Sequence, residues 1–142
     1  MTIASLSLTP EALLAGVGGL VLVLIVAFLI FFKFFRKVRP KKFRAKWQDL
    51  QKKLPNQEYW LEAVQQADKL LDEAMKKKKI KGSTMGERLV HAQKLFKDKD
   101  EVWFGHKLCK KHQENPNLKL KKNDVKRALV GLRQALKDLG AM

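Results

Sequence analysis

The sequence lacks a second cysteine: Cys109 stands alone, so no intrachain disulfide can staple the fold. That agrees with a reducing compartment. Acidic residues are scarce, 14 Asp and Glu against 30 Lys and Arg, which leaves a formal net charge of +16. A chain this basic attracts anionic lipid headgroups and nucleic acid alike, and charge alone does not separate the two. No long stretch alternates with strand periodicity and no repeat is visible. There is no glycine-rich phosphate loop after a strand, no G-x-S-x-G and no H-E-x-x-H. The carboxylates are dispersed among lysines, with no pair that stands out as general acid and base.

Charge is missing altogether from Ala12 to Phe32, a run rich in Leu, Val, Ile and Phe. As a helix it measures about 31 Å, which matches a hydrocarbon core of about 30 Å. A small soluble domain cannot hide an all-round apolar helix of that length. A cleaved signal peptide fits less well. Residues 1–11 hold no Lys or Arg, and Phe31-Phe32-Lys33-Phe34-Phe35 offers no small-residue cleavage site. The expectation is an uncleaved single-pass anchor over 10–38, after a short extracytoplasmic tip at 1–9. Thr9-Pro10-Glu11 supplies its start: a capping hydroxyl, a proline in the first turn and an acid near the positive end of the dipole.

Before the run the only charged side chain is Glu11; just after it come Lys33, Arg36, Lys37, Arg39, Lys41, Lys42, Arg44 and Lys46. The positive-inside rule puts that flank in the cytoplasm and the N-terminus outside, with these eight side chains on anionic lipid; the plasma membrane is the expected location. Ala12 and Gly16, and Ala15 and Gly19, are small residues four apart, a seam through which two such helices would form a homodimer.

Pro40 disfavours helical geometry at Arg39, so a break belongs there. A basic juxtamembrane linker helix is expected within 39–55, with Phe43, Trp47, Leu50 and Leu54 at helical spacing. Phe43 and its neighbouring cations suit a membrane interface; Leu50 and Leu54 suit a bundle equally. Behind it, 56–142 reads as a cytoplasmic bundle of four main helices. The first carries a continuous stripe from Trp60 through Ala63, Val64, Ala67, Leu70, Leu71 and Ala74 to Met75, with Asn56 as a cap and Gly82 as its stop. Thr84-Met85-Gly86-Glu87 matches a capping box and opens a helix expected to bury Leu89, Val90, Leu95 and Phe96. Asp98 or Asp100 caps a third helix bearing Val102, Trp103, Leu108 and Cys109. After the Asn115-Pro116-Asn117 turn, Leu118 and Leu120 read as extended. Asn123 or Asp124 starts the last helix, which Gly140 stops.

Two groups invite a chemical reading. His106, Cys109 and His112 recur every three residues on one helix, but at 100° per residue they spread over about 120°, too wide to point at one ion comfortably. A catalytic thiolate would need exposure beside a base, and Cys109 falls on the apolar side of its helix. No catalytic residue, metal or cofactor is therefore expected. The second group is Lys107, Lys110, Lys111, Lys119, Lys121, Lys122, Lys126 and Arg127, a patch for nucleic acid or an acidic partner. Aromatics are sparse around it, so a base-stacking platform is not evident and nucleic acid is not favoured.

Trp60-Leu61-Glu62-Ala63-Val64 with Ala67-Asp68 and Leu71-Asp72, then Thr84-Met85-Gly86-Glu87-Arg88-Leu89, then Val102-Trp103 with His106-Lys107-Leu108, and the closing helix to Leu139-Gly140 carry a resemblance. The stretch from Trp60 to Gly140 resembles small bacterial membrane-anchored proteins whose cytoplasmic part looks like the HEPN helical bundle. Active HEPN ribonucleases carry an arginine followed a few residues later by a histidine. The similar sequences have an Arg-Asn pair directly after the His-Lys-Leu piece and a histidine further on. This chain has Cys109 and Lys110 at the pair and Glu114 at the histidine; Lys107 and His112 keep a motif-like spacing without the arginine. The resemblance implies the fold and a lost ribonuclease apparatus. The sequence thus points to a membrane-tethered, non-enzymatic helical module that binds a protein partner. Its alternative is a tethered nucleic-acid-binding or degenerate ribonuclease-like domain.

Overall fold

The computed structural model describes residues 9–34 and 39–142, without the side chains of 33 and 34. It is all-helical: six α-helices and two short 3-10 turns, with no strand among the described residues. The chain divides into two compact units, Met1–Arg36 and Lys37–Met142.

The first unit holds α1 (Pro10–Phe34). The expected start is present: Thr9 Oγ1 accepts from Ala12 N–H at 3.4 Å and the Thr9 carbonyl accepts from Leu13 N–H at 3.1 Å. Pro10–Phe32 is long and apolar enough to cross a membrane, and none of it is buried in protein. Phe28 and Phe32, one turn apart, stack with ring centroids 5.6 Å apart. The expected continuation to Val38 lies outside the described residues.

The second unit holds α2 (Pro40–Lys53), α3 (Trp60–Lys77), α4 (Met85–Ala92), α5 (Lys99–Glu114) and α6 (Lys122–Asp138). Arg39 is extended, as the following proline requires, and α2 begins at Pro40. Its Phe43, Trp47 and Leu50 are at most 4 % exposed and join the common core. The compact unit therefore starts before the boundary expected at 56, and the α2 stripe faces protein rather than a membrane interface. The physical reason is that these three rings and chains find a matching apolar face on α3. Burying each removes about 1.5–3 kcal/mol of unfavourable hydration.

α3 is central and packs against α2, α4, α5 and α6. Of the four helices expected behind the linker, the one opened by Thr84 is only eight residues long, so the long helices of the core are α2, α3, α5 and α6. Asn56 precedes a 3-10 turn, Gln57–Tyr59, without capping it through its side chain. α3 ends before Gly82: Lys79 adopts φ 56°, its N–H reaches the Lys76 carbonyl at 2.9 Å, and Ile80 N–H reaches Met75 at 3.1 Å. Gly82, at φ 149°, instead allows close approach to Arg88, whose backbone nitrogen would lie 2.6 Å from an added Cβ.

Thr84 Oγ1 caps α4 by accepting from Glu87 N–H at 3.2 Å, while the Glu87 carboxylate returns to Ser83 N–H at 2.7 Å. α4 buries Leu89 and Ala92; Phe96 follows into the core, but Val90 and Leu95 stand more than half exposed. The reason is that α4 gives way to a 3-10 turn at Gln93–Leu95, which breaks the spacing that would have carried Leu95 inward. Asp98 caps α5 and Gly140, at φ 71°, closes α6. α6 starts at Lys122 with Asp124 in its first turn, and Leu118 and Leu120 belong to no regular element. α5 and α6 cross closely at two glycines: a Cβ on Gly131 would lie 2.8 Å from the Glu101 carbonyl oxygen, and one on Gly105 2.9 Å from Leu132 Cγ.

Candidate functional site

The side chains with the most chemical capacity lie inside the bundle. α3 brings Asp68, and α5 brings His106, to one buried contact, with Nδ1 at 3.1 and 3.2 Å from the two carboxylate oxygens. An Nδ1–H donating to the carboxylate accounts for this geometry. Trp103 presents its ring edge-on to the imidazole at 6.0 Å. Cys109, one turn further along α5, is buried, and burial together with the Asp68 charge pushes its thiol well above the ordinary range. The sulfur is thus held protonated, which suits packing and not nucleophilic attack.

His112 turns its Nδ1 to the Leu108 carbonyl at 3.0 Å, and its buried Nε2 meets no partner among the described residues. The three side chains at zinc-like spacing are therefore committed to separate contacts, and no group of three His, Cys, Asp or Glu among the described residues is placed to hold a metal. Lys107 and His112 do not pair either: Lys107 is exposed and lies over Trp103, while His112 is buried. A second internal pair ties α3 to α4 and to the loop before it. Arg88 donates to Asp72 at 2.6 and 3.0 Å and to the Gly82 carbonyl at 2.8 Å, a two-pronged contact with 7 % of the arginine exposed.

The cations expected to act together are divided by the fold. Of the flank, Arg36 and Lys37 lie outside the described residues, as does the side chain of Lys33. Arg39, Lys41, Lys42 and Arg44 are exposed, whereas Lys46 pairs with Glu73 on α3 at 3.0 Å. Of the second patch, Lys107 and Arg127 sit beside Trp103 and Phe104 on one shallow surface. Arg127 stacks over Phe104 at 3.9 Å and donates to the Glu101 carboxylate at 2.7–3.0 Å. That hydrogen bond holds the Glu101 carboxyl below its usual range and raises Arg127. Lys122 and Lys126 belong to a different surface, with Arg133. Lys110, Lys111, Lys119 and Lys121 are exposed around the α5–α6 turn.

That different surface is an open groove of about 280 Å³ between α2 and α6. Trp47, Leu54, Trp60, Val125, Leu129 and Val130 form its apolar lining, and Lys122, Lys126 and Arg133 its basic one. Trp60 is fixed by its Nε1–H, which donates to the Leu54 carbonyl at 2.9 Å across the Pro55 turn. Trp47 is nearly covered, and its Nε1 meets no acceptor among the described residues. Sequence reasoning missed the groove because its walls come from helices far apart in the chain. Val130, an apolar residue beside the α6 stripe rather than on it, is the one signal that pointed there.

No family model, curated protein or solved structure matches the chain.

Proposed function

We propose that the chain is a single-pass, membrane-tethered, non-enzymatic helical interaction module. In this reading α1 crosses the plasma membrane with its N-terminus outside, and the C-terminal unit works at the cytoplasmic face. Lys33, Arg36, Lys37, Arg39, Lys41, Lys42 and Arg44 hold it on anionic lipid, with Lys46 shared with Glu73. The charge asymmetry around α1 supports that orientation. In the same reading the bundle is kin to the HEPN domains, with α2 added to its core, Cys109 and Lys110 in place of the Arg-Asn pair and Glu114 in place of the histidine.

One observation carries the functional part. Asp68, His106 and Cys109 are taken up by internal contacts, while an apolar groove bordered by cations stays open. Crosslinking of the full-length protein in intact cells tests the reading. It predicts recovery of a specific protein; recovery of lipid and self alone would overturn it. The exposed lysines at 110, 111, 119 and 121 favour a second reading, a tethered nucleic-acid-binding domain. RNA titrated into the nanodisc-embedded protein separates the two. Sequence-blind binding that vanishes at physiological salt supports the interaction module, and binding that persists there supports the alternative.

A further inference from the structure

We infer that the groove between α2 and α6 docks an acidic amphipathic helix of a partner protein, with apolar side chains on Leu54, Trp60 and Val130 and carboxylates along Lys122, Lys126 and Arg133. The inference rests on the interaction-module reading and gives it a place and a partner chemistry.

The first support is charge left without a counterpart. Arg127 and Lys46 are neutralised by Glu101 and Glu73, but Lys122, Lys126 and Arg133 make no ion pair among the described residues. On α6 they stand four and seven residues apart, which puts them within about 40° of one line, at axial steps of about 6 and 10 Å. A helix lying alongside presents carboxylates at the same steps when it carries Glu or Asp at i, i+4 and i+11. Three cations in a row therefore fit one acidic helix edge.

The second support is the apolar surface beside that row. Val130 is 62 % exposed although the stripe of α6 that includes Leu129 and Leu132 fills the core, so core packing does not explain it. It is continuous with Leu129, Leu54 and Trp60 in one concavity. An amphipathic helix enters such a groove with anchors at i, i+3, i+4 and i+7. The groove is open rather than enclosed, whereas a small-molecule site buries most of its ligand's surface. It is also poor for nucleic acid, because Trp47 is covered and the half-buried Trp60 is the one other ring in its lining, too few for successive stacked bases.

The test uses the full-length protein in zwitterionic-lipid nanodiscs, with empty discs as blank. The probe is a fluorescein-labelled helical peptide of about eighteen residues, with leucine anchors at i, i+3, i+4 and i+7 and glutamates on one flank. Its control carries glutamine in place of each glutamate. The glutamate peptide is expected to bind at least about tenfold more tightly than the control, and Val130→Asp or the Lys126→Glu/Arg133→Glu pair to remove at least about tenfold of that affinity. Lys110→Glu/Lys111→Glu, away from the groove, leaves it unchanged. All these side chains are exposed, and an unchanged circular-dichroism melt verifies the fold. Equal binding of the two peptides, or binding indifferent to Val130→Asp, overturns the inference. So does a loss on the same substitutions of binding to anionic vesicles and not to peptide, which would make the groove a lipid site.

A photo-crosslinking residue placed at Val130, and separately at exposed Val90, distinguishes this failure from failure of the broader reading. Capture from Val130 of an acidic amphipathic segment upholds the docking. Protein capture from Val90 but not from Val130 overturns the groove and leaves the interaction module standing; lipid and self alone from both overturns both.

Discussion

α1 and α3 are both regular helices, yet they solve opposite problems. α1 is apolar on every side and finds no cover in protein. α3 is apolar on one stripe, and that stripe is covered by the helices packed around it. The backbone hydrogen bonds are the same in kind, so the difference lies in what each surface needs as solvent. An all-round apolar surface asks for lipid, and a one-sided surface asks for neighbouring helices. α2 tests that contrast, because its stripe is followed and preceded by cations and the sequence alone allowed either environment.

The largest effect is expected from making α1 polar. Leu20→Lys with Leu24→Lys places two charges near the middle of the run, each costing about 2.5–3.5 kcal/mol of insertion free energy. The protein should leave the carbonate-resistant membrane fraction while the melting of its C-terminal unit stays unchanged. Retention in the membrane would mean that α1 is not the anchor.

Phe43→Ala asks which solvent α2 prefers. Its ring is 1 % exposed, so truncation should destabilise the C-terminal unit by about 3–5 kcal/mol in urea unfolding. A variant that unfolds like the parent but binds anionic vesicles more weakly would return α2 to the membrane. Gly131→Ala is a smaller perturbation of the same packing. The methyl group meets the Glu101 backbone, and about 1–3 kcal/mol should be lost in the same assay. The smallest effect concerns the outer surface. The Arg127 hydrogen bond holds Glu101 below its unfolded value, so its contribution is full above the ordinary carboxylate range and disappears as pH falls through the lowered value. Unfolding at descending pH should show a slight loss that Glu101→Gln removes; exposure of the pair keeps it small.

What was legible came from near neighbours in sequence. Thr9, Thr84, Asp98 and Gly140 act within one turn of where they stand, and each performs the capping its position suggested. Gly82 misled for the same kind of reason. It has the right identity for a stop, but Lys79 accepts the left-handed conformation first and leaves Gly82 to accommodate Arg88. Leu95 misled because a helical period extrapolated past Ala92 ignores the 3-10 turn that follows it, and Val90 because the inward face of α4 runs through Arg88, Leu89 and Ala92 and leaves it to one side. The 107–127 cluster read as one patch because its members are close in the chain; rotation around α6 sends Lys126 to the groove and Arg127 to Glu101.

The amino-acid order by itself determined the helices, most of their caps, the apolar run of α1 and the excess of positive charge, because each depends on residues within a turn or on simple addition. Tertiary structure alone decided that α2 joins the core, that Asp68 meets His106, that Gly131 sits against Glu101, and that Trp60 and Val130 share a groove. Those contacts join residues distant along the chain, and which faces meet is settled by shape and burial summed over the whole bundle rather than by local spacing.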